Sequence, residues 1–265
     1  MTDALVVHEI FLSLQGESTF AGWPCVFVRL TGCNLRCTWC DTAYAFTGGQ
    51  RLGLEEILTR VKDLARPFTD TGGLTRLPLV ELTGGEPLLQ ASALPLLTKL
   101  CDLGFTVLLE TNGAMDIAPV DARVHRVMDL KCPASGEEKR NRWENLRHLK
   151  KSDEIKFVIA SREDYEWAKQ VVAAHHLAGL CPLSFSWAEP LPAEPQDKPL
   201  EAEAEVRPDA ACPACDTEKG KGPQSSGFTP ITRRQLAEWI IADALPVRLG
   251  VQLHKVVWPA EMRGV

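Results

Sequence analysis

Three thiols fall within eight residues, Cys33-Asn34-Leu35-Arg36-Cys37-Thr38-Trp39-Cys40, at the spacing C-x3-C-x2-C. No other stretch constrains the chain as strongly, because all three sulfurs can reach one inorganic centre. A structural zinc or an electron-transfer iron–sulfur cluster takes four protein ligands. Three cysteines on a four-iron cluster leave one iron open for a small molecule to chelate, and an open position marks chemistry rather than scaffolding. The plainer alternative is a zinc knuckle whose fourth ligand lies elsewhere, and C-x2-C alone would suit it. The x3 spacing, and the strand that delivers the loop, favour the cluster.

The chain has 265 residues, enough for one large α/β domain with a sizeable core. A net charge of −6 argues against a broad phosphate-backbone interface, so nucleic acid is not an expected partner. Met1-Thr2-Asp3-Ala4 has no basic region of the signal-peptide kind, and no apolar run approaches the ~20 residues of a membrane helix. Nine cysteines, an odd count, then suggest reduced thiols and a cytoplasmic protein with no membrane partner. Cys25, Cys101, Cys132 and Cys181 stand outside the motif and read as small buried hydrophobes.

Strand-like and helix-like stretches alternate. Strands are expected at Val6–Leu12, Cys25–Leu30, Leu79–Thr83, Phe105–Glu110, Val124–Leu130, Ile155–Ala160, Leu183–Ser186 and Leu249–His254. In Leu54–Ala65 the residues Leu54, Ile57, Leu58, Val61, Leu64 and Ala65 recur at helical spacing. Arg162–His176 and Arg233–Ala244 also read as helices, the second opened by a Thr232…Gln235 capping box. Such alternation implies an α/β fold, a mainly parallel sheet with helices outside it. The unusual residues sit at strand ends: Cys33, Gly84-Gly85-Glu86-Pro87, Thr111-Asn112-Gly113, Lys131, Ser186 and His254. In α/β barrels and open sheets, sites form at the carboxyl ends of strands, so these six points share one rim.

Residues two apart line one side of a strand. Phe27 and Arg29 therefore oppose Val26, Val28 and Leu30, and Asp129 and Lys131 share a face with Val127. By the same count Gln252 and His254 oppose Leu249, Val251 and Leu253. With the apolar sides packed on helices, the polar sides face a barrel interior, where Arg29 and Lys131 need anionic partners. Those partners are either a ligand's carboxylates or Asp129 and its neighbours in structural ion pairs. Glu189–Phe228 breaks the pattern. It holds seven of the 18 prolines, nine acidic and four basic residues, and reads as a flexible insertion rather than a domain. Its Cys212-Pro213-Ala214-Cys215 is a lone C-x2-C that cannot complete a tetrahedral site.

Together, Cys33-x3-Cys37-x2-Cys40 and Gly84-Gly85-Glu86-Pro87 resemble the radical S-adenosylmethionine superfamily. Leu12-Ser-Leu-Gln15-Gly16-Glu17, Cys40-Asp41-Thr42, Leu109-Glu-Thr111-Asn-Gly113 and Gln252-Leu-His254-Lys255-Val-Val-Trp258-Pro259 narrow the likeness to the 7-carboxy-7-deazaguanine synthases. The resemblance runs from about Val7 to Pro259 but not through the insertion. It implies a single radical SAM domain over residues 1–265, a partial (β/α)6-type barrel interrupted at 189–228. It also implies a lyase that turns 6-carboxy-5,6,7,8-tetrahydropterin into 7-carboxy-7-deazaguanine with loss of ammonia. A 4Fe-4S cluster on Cys33, Cys37 and Cys40 would cleave S-adenosylmethionine to a radical that takes hydrogen from C6 of the pterin, with Mg2+ held at Thr42. Leu14, Gln15, Gly16, Arg29 and Thr111 would contact the substrate. Trp39, Cys40, Asp41, Gly85, Glu86, Gly113, Asp129, Lys131 and Ser186 would surround S-adenosylmethionine. Implied partners are a flavodoxin- or ferredoxin-type reductant and a second copy of the chain. Plainer roles stay open: a turn at Gln15-Gly16 and at Thr111-Asn112-Gly113, a core aromatic at Trp39, a helix cap at Thr42, an interior histidine at His254. Two other functions also stay open, a glycyl-radical-enzyme activase and a non-catalytic iron–sulfur or zinc module.

Overall fold

The computed structural model describes residues 3–68, 77–188, 228–259, 262 and 264. Apart from Phe228, the insertion at 189–228 lies outside the described residues, and Cys212 and Cys215 with it. Nine strands form one sheet: β1 Ala4–Leu14, β2 Pro24–Leu30, β3 Gln50–Gly53, β4 Leu79–Gly84, β5 Val107–Thr111, β6 His125–Asp129, β7 Glu154–Ile159, β8 Leu183–Trp187 and β9 Arg248–Gly250. Their order is β3-β1-β2-β4-β5-β6-β7-β8-β9. Strand β1 is antiparallel to both its neighbours, and every pair from β2 to β9 is parallel. The expected mainly parallel α/β sheet is therefore observed.

The helices are α1 Leu54–Ala65, α2 Ala93–Asp102, α3 Arg162–Ala174, α4 Arg233–Ala242 and α5 Leu253–Val257. On α1 the periodic Leu54, Ile57, Leu58, Val61 and Ala65 are buried, while Glu55 and Glu56 complement the positive end of the helix dipole. The Thr232–Gln235 capping box opens α4. Helix α2 is not among the expected elements. Its Pro95 sits in the first turn, where a missing N–H costs nothing, and Leu96, Leu97, Leu100 and Cys101 face the core. Two crossovers, β5 to β6 and β6 to β7, carry no α-helix, so the outer layer is incomplete there.

The last strand is shorter than expected. Strand β9 stops at Gly250, and His254 lies on α5, so the alternation read for Gln252 and His254 does not apply. Contacts distant in sequence accompany the end of the strand: a Cβ at Gly250 would lie 2.1 Å from Ser186 Oγ, and Leu253 N–H donates to Gly16 C=O (2.8 Å), drawing the chain off the sheet. Thr111 is the last residue of β5, one beyond the expected end, Ser186 lies within β8 as expected, and Leu14 is the last residue of β1.

The two faces of the sheet differ in chemistry. Val26, Val28 and Leu30 of β2, Val80 and Leu82 of β4, Val107 and Leu109 of β5 and Phe157 of β7 belong to one continuous apolar core with the helices. On the opposite face, Cys25, Leu79 and Leu108 make a small plug near the amino ends, with Phe20, Phe27 and Leu77 against it. Toward the carboxyl ends that inner face turns polar, with Arg29, Glu81, Thr83, Glu110, Asp129, Lys156 and Ser186. Register confirms the count, since Phe27 is opposite Glu81 and Arg29 is opposite Thr83. The Gly16–Leu253 bond joins the loop after β1 to the segment after β9, elements from opposite sides of the sheet order, so the sheet curls into a partial barrel. Cys25, Cys101, Cys132 and Cys181 are buried, as expected of small hydrophobes. No helix among the described residues is long and apolar enough to cross a membrane.

Leu82 is fully buried between β2 and β5. Leu82→Ala should lower stability by about 2–5 kcal/mol, read as a fall in the urea midpoint under anaerobic conditions.

Candidate active site

The thiol loop leaves β2 at Gly32 and is fixed from three sides. Gly32 N–H donates to Ala45 C=O (2.9 Å), Glu86 N–H to Gly32 C=O (2.8 Å) and Gly85 N–H to Leu30 C=O (3.2 Å). On the far side Thr38 N–H reaches Ser135 C=O (3.1 Å), and Arg36 N–H reaches Glu137 Oε1 (2.6 Å). A Cβ on Gly85 would lie 2.0 Å from Gly32 O, and one on Gly84, whose φ is +134°, would lie 2.2 Å from Leu30 O. The glycine pair is thus needed for the approach of two backbones.

The three thiols are half-buried and share one electrostatic neighbourhood. Burial pushes all three up, Cys37 to about 11; Lys131 draws each down, while Asp129 and the neighbouring thiols raise Cys37 further. Without a thiophilic partner they keep their protons, and a bound metal centre would release them. Among the described residues no three His, Cys, Asp or Glu side chains gather for a single metal ion. The ligands of a four-iron cluster are instead spread, one thiolate to each of three irons, and this donor set fits one. Asn112 Nδ2 closes the loop's inner side, 2.8 Å from Asn34 Oδ1 and 3.7 Å from Cys33 Sγ.

Glu86 is the hub beneath the loop. It is fully buried, and its carboxylate accepts from Leu88 N–H (3.0 Å), Thr111 Oγ1–H (3.0 Å) and Asn112 N–H (2.7 Å). Burial raises its pKa, partly offset by those bonds. Glu86 and Thr111, expected at the cofactor and the substrate, therefore bond each other. Gly113 takes φ +72° at the turn that follows. Lys131 Nζ lies 2.6 Å from Asp129 Oδ2, and the other Asp129 oxygen is buried without a hydrogen-bond partner among the described residues. Trp39 meets Phe228 edge-on, with centroids 5.8 Å apart.

Below the loop runs a connected polar network. Gln15 Nε2 donates to Glu81 Oε2 (2.7 Å), and Gln15 Oε1 accepts from Glu17 N–H (2.5 Å). Lys156 pairs with Glu110 and with Glu17 (2.9 Å). Burial opposes the charge on Lys156, but Glu110, Glu17 and Asp129 outweigh it and raise its pKa well above the ordinary value. Gln252 Nε2 bridges Glu17 and Asp41, 3.0 Å from each. Asp41 also accepts from Lys255 (2.9 Å) and from Thr42 Oγ1–H (3.0 Å). Burial lifts its carboxyl, yet these partners carry it well below the ordinary value. Thr42 precedes the short helical turn Ala43–Phe46 but makes no capping bond. His254 lies against Gly16, where a Cβ would come within 2.3 Å of Nδ1, and burial lowers its pKa.

The expected site residues thus gather at one rim, with Leu14, Gln15, Gly16 and Arg29 on the β1–β2 side and the thiols above. Arg29 has a structural partner, Glu9 (2.7 Å), as Lys131 has Asp129. The expected set omits Glu9, Glu81, Glu110 and Lys156. Their signal was present: Val80-Glu81-Leu82, Leu109-Glu110-Thr111 and Ile155-Lys156-Phe157 each place one charge between residues of the opposite face.

Residues 27–132 match the family model of the Radical SAM superfamily, the class to which a three-thiol loop at the carboxyl end of a parallel sheet points. The chain is 42% identical over 261 residues to the 7-carboxy-7-deazaguanine synthase of Koribacter versatilis, covering 98% of this chain and 99% of that protein. It is 39% identical to the synthase of Chlorobaculum tepidum, covering 98% and 97%. The crystal structure of QueE from Escherichia coli shares the fold, with a TM-score of 0.63 at 21% identity and 95% of each chain covered. The chain belongs to the 7-carboxy-7-deazaguanine synthase family of radical S-adenosylmethionine enzymes. It is a lyase of deazapurine biosynthesis that acts on a small molecule and needs a reductant. Its cofactors are the 4Fe-4S cluster and S-adenosylmethionine of the radical SAM superfamily. The activase and metal-module alternatives give way to this membership.

Two consequences are measurable. Gly85→Ala should push the thiol loop off the β4 turn, and the purified protein should carry well under half the iron of the unaltered one. Glu81 is fully buried, and burial, with the charge of Glu110 next, raises its carboxyl to about 8 from 4.5. Between those values the native state holds a proton that the unfolded chain has released, so stability falls as pH rises from about 5 to 8. Glu81→Gln should flatten that decline in anaerobic urea denaturation at pH 5.5, 7 and 8.

Proposed function

We propose that the chain converts 6-carboxy-5,6,7,8-tetrahydropterin to 7-carboxy-7-deazaguanine, with release of ammonia, at the polar inner face of the sheet beneath the thiol loop. The observation that carries this reading is the juxtaposition of three electrostatically coupled thiols with a charged, hydrogen-bonding inner face on an otherwise apolar sheet. Cys33, Cys37 and Cys40 hold the cluster. Trp39, Cys40, Asp41, Gly85, Glu86, Gly113, Asp129, Lys131 and Ser186 surround S-adenosylmethionine. Support comes from the buried, unpartnered Asp129 oxygen, an acceptor available to a donor of the bound nucleoside, and from the nearness of Lys131 to the thiols. Glu86 contributes by fixing the Thr111–Gly113 turn. Once these groups are bound, the chemistry supplied there is one-electron reduction and hydrogen-atom abstraction.

Leu14, Gln15, Gly16, Arg29 and Thr111 bind the pterin. Gln15 offers an amide fixed by Glu81 and the Glu17 backbone, suited to the donors and acceptors of a pterin edge. Arg29 meets an acidic or carbonyl group of the substrate. Thr42 supplies a hydroxyl to Mg2+, which keeps most of its shell as water and substrate oxygens. The enzyme works as a homodimer in the cytoplasm, reduced by a flavodoxin- or ferredoxin-type protein. Residues 189–228 are an acidic insertion within a single domain.

Anaerobic protein reduced with dithionite should convert carboxytetrahydropterin to a product with the deazapurine chromophore when S-adenosylmethionine and Mg2+ are present. Cys37→Ala should lose both the iron and the turnover. Normal iron loading without the chromophore would reject this substrate.

A further inference from the structure

Arg29 is held in an unusual way for a structural ion pair. Strand register places Glu9 opposite Arg29 and Phe11 opposite Phe27, just after an irregularity between Val7 and Glu9. Glu9 Oε1 accepts from Arg29 Nε (2.7 Å) and also from Tyr44 Oη–H (3.2 Å). The guanidinium carbon lies 5.7 Å from the ring centre of Phe11 and 5.9 Å from that of Tyr44. Glu9 therefore takes only the inner nitrogen, and two aromatic rings flank the head group. Among the described residues nothing bonds Nη1 or Nη2. A pair formed for stability alone would favour the bidentate fork, which uses the paired nitrogens. Here the outer edge is free. The side chains of Arg29 and Glu9 are 17% and 21% exposed, so the pair is not sealed from solvent.

We propose that Glu9 and Tyr44 are positioning residues that aim the Nη edge of Arg29 at the substrate's carboxylate. This inference rests on the reading of Arg29 as a substrate ligand. Tyr44 sits two residues beyond Thr42, in the turn that follows the thiol loop. Its hydroxyl therefore ties the cofactor side of the pocket to the arginine side through one carboxylate oxygen. The pair is electrostatically self-consistent: burial opposes the charge on Arg29, while Tyr44, Glu9 and Glu110 hold it.

The test is steady-state kinetics of the cluster-loaded, dithionite-reduced enzyme with carboxytetrahydropterin. Tyr44→Phe keeps the ring and removes one hydroxyl; Glu9→Gln keeps the shape and removes the charge. We expect KM for the pterin to rise about threefold to tenfold in Tyr44→Phe and more than about tenfold in Glu9→Gln. In both, kcat should stay within about twofold, and KM for S-adenosylmethionine and the cluster absorbance should not change. Arg29→Lys should raise the pterin KM at least as far as Glu9→Gln. If Arg29→Lys raises KM while Tyr44→Phe and Glu9→Gln do not, the positioning role is overturned and Arg29 remains a ligand. If Arg29→Lys leaves KM unchanged, the ligand reading itself falls and the inference with it. A fall in kcat at constant KM in Tyr44→Phe would assign the hydroxyl a different part and overturn the proposal. Should Glu9→Gln lose its cluster, Tyr44→Phe alone decides.

Discussion

The backbone contact between Gly84-Gly85 and the segment Leu30–Cys33 is the constraint on which the site depends. Two parallel strands end side by side, and their chains continue toward each other more closely than any side chain would allow. That approach puts Gly32 C=O within reach of Glu86 N–H and turns the Glu86 carboxylate toward β5. One glycine pair therefore sets the thiol loop against its neighbours, and one buried carboxylate carries the arrangement to the next strand. The energetic logic is that of a buried acceptor fully satisfied by donors, which is rigid because each alternative leaves a polar group unpaired.

The sheet separates stability from chemistry by alternation. One face packs aliphatic side chains on helices, and the other, beyond a small apolar plug, carries charges that pair with one another across several strands. Buried ion pairs of this kind add little net stability, because desolvation consumes most of the Coulomb energy. Their value lies in fixed geometry. Lys156 holds Glu17 beside the Gln15–Gly16 turn, and Gln252 holds the same Glu17 beside Asp41. Among the described residues most groups of the polar inner face already have partners; the Arg29 outer edge, one Asp129 oxygen, Ser13 Oγ and Glu154 Oε1 do not.

Much of this was legible in the sequence, for definite reasons. Thiol spacing, glycine pairs and strand alternation are local signals, and local signals gave the thiol loop, the inward Arg29 and the apolar stripe of α1. The Thr232 capping box was legible because both its partners lie within four residues. What escaped depends on contacts distant in sequence. That Glu86 faces Thr111, that Glu9 takes Arg29 and that β9 ends at Gly250 follow from strand order and packing, which no short window contains. Helix α2 was hidden by Pro95, harmless in a first turn but a breaker elsewhere. Glu81, Glu110 and Lys156 were visible as lone charges in apolar strands, yet only the sheet shows that they converge.

The rim closes through partners far apart along the chain: Leu253 on Gly16, Gln252 on Glu17 and Asp41, Lys255 on Asp41. Contacts of such long span add loop-closure entropy, a cost that grows only logarithmically with the length of chain enclosed. During synthesis the thiols emerge long before the segment that walls their pocket. The three sulfurs thus share their rim with groups 211 and 214 positions further along than Asp41, so a change in that distant segment alters the surroundings of the metal centre without touching a ligand.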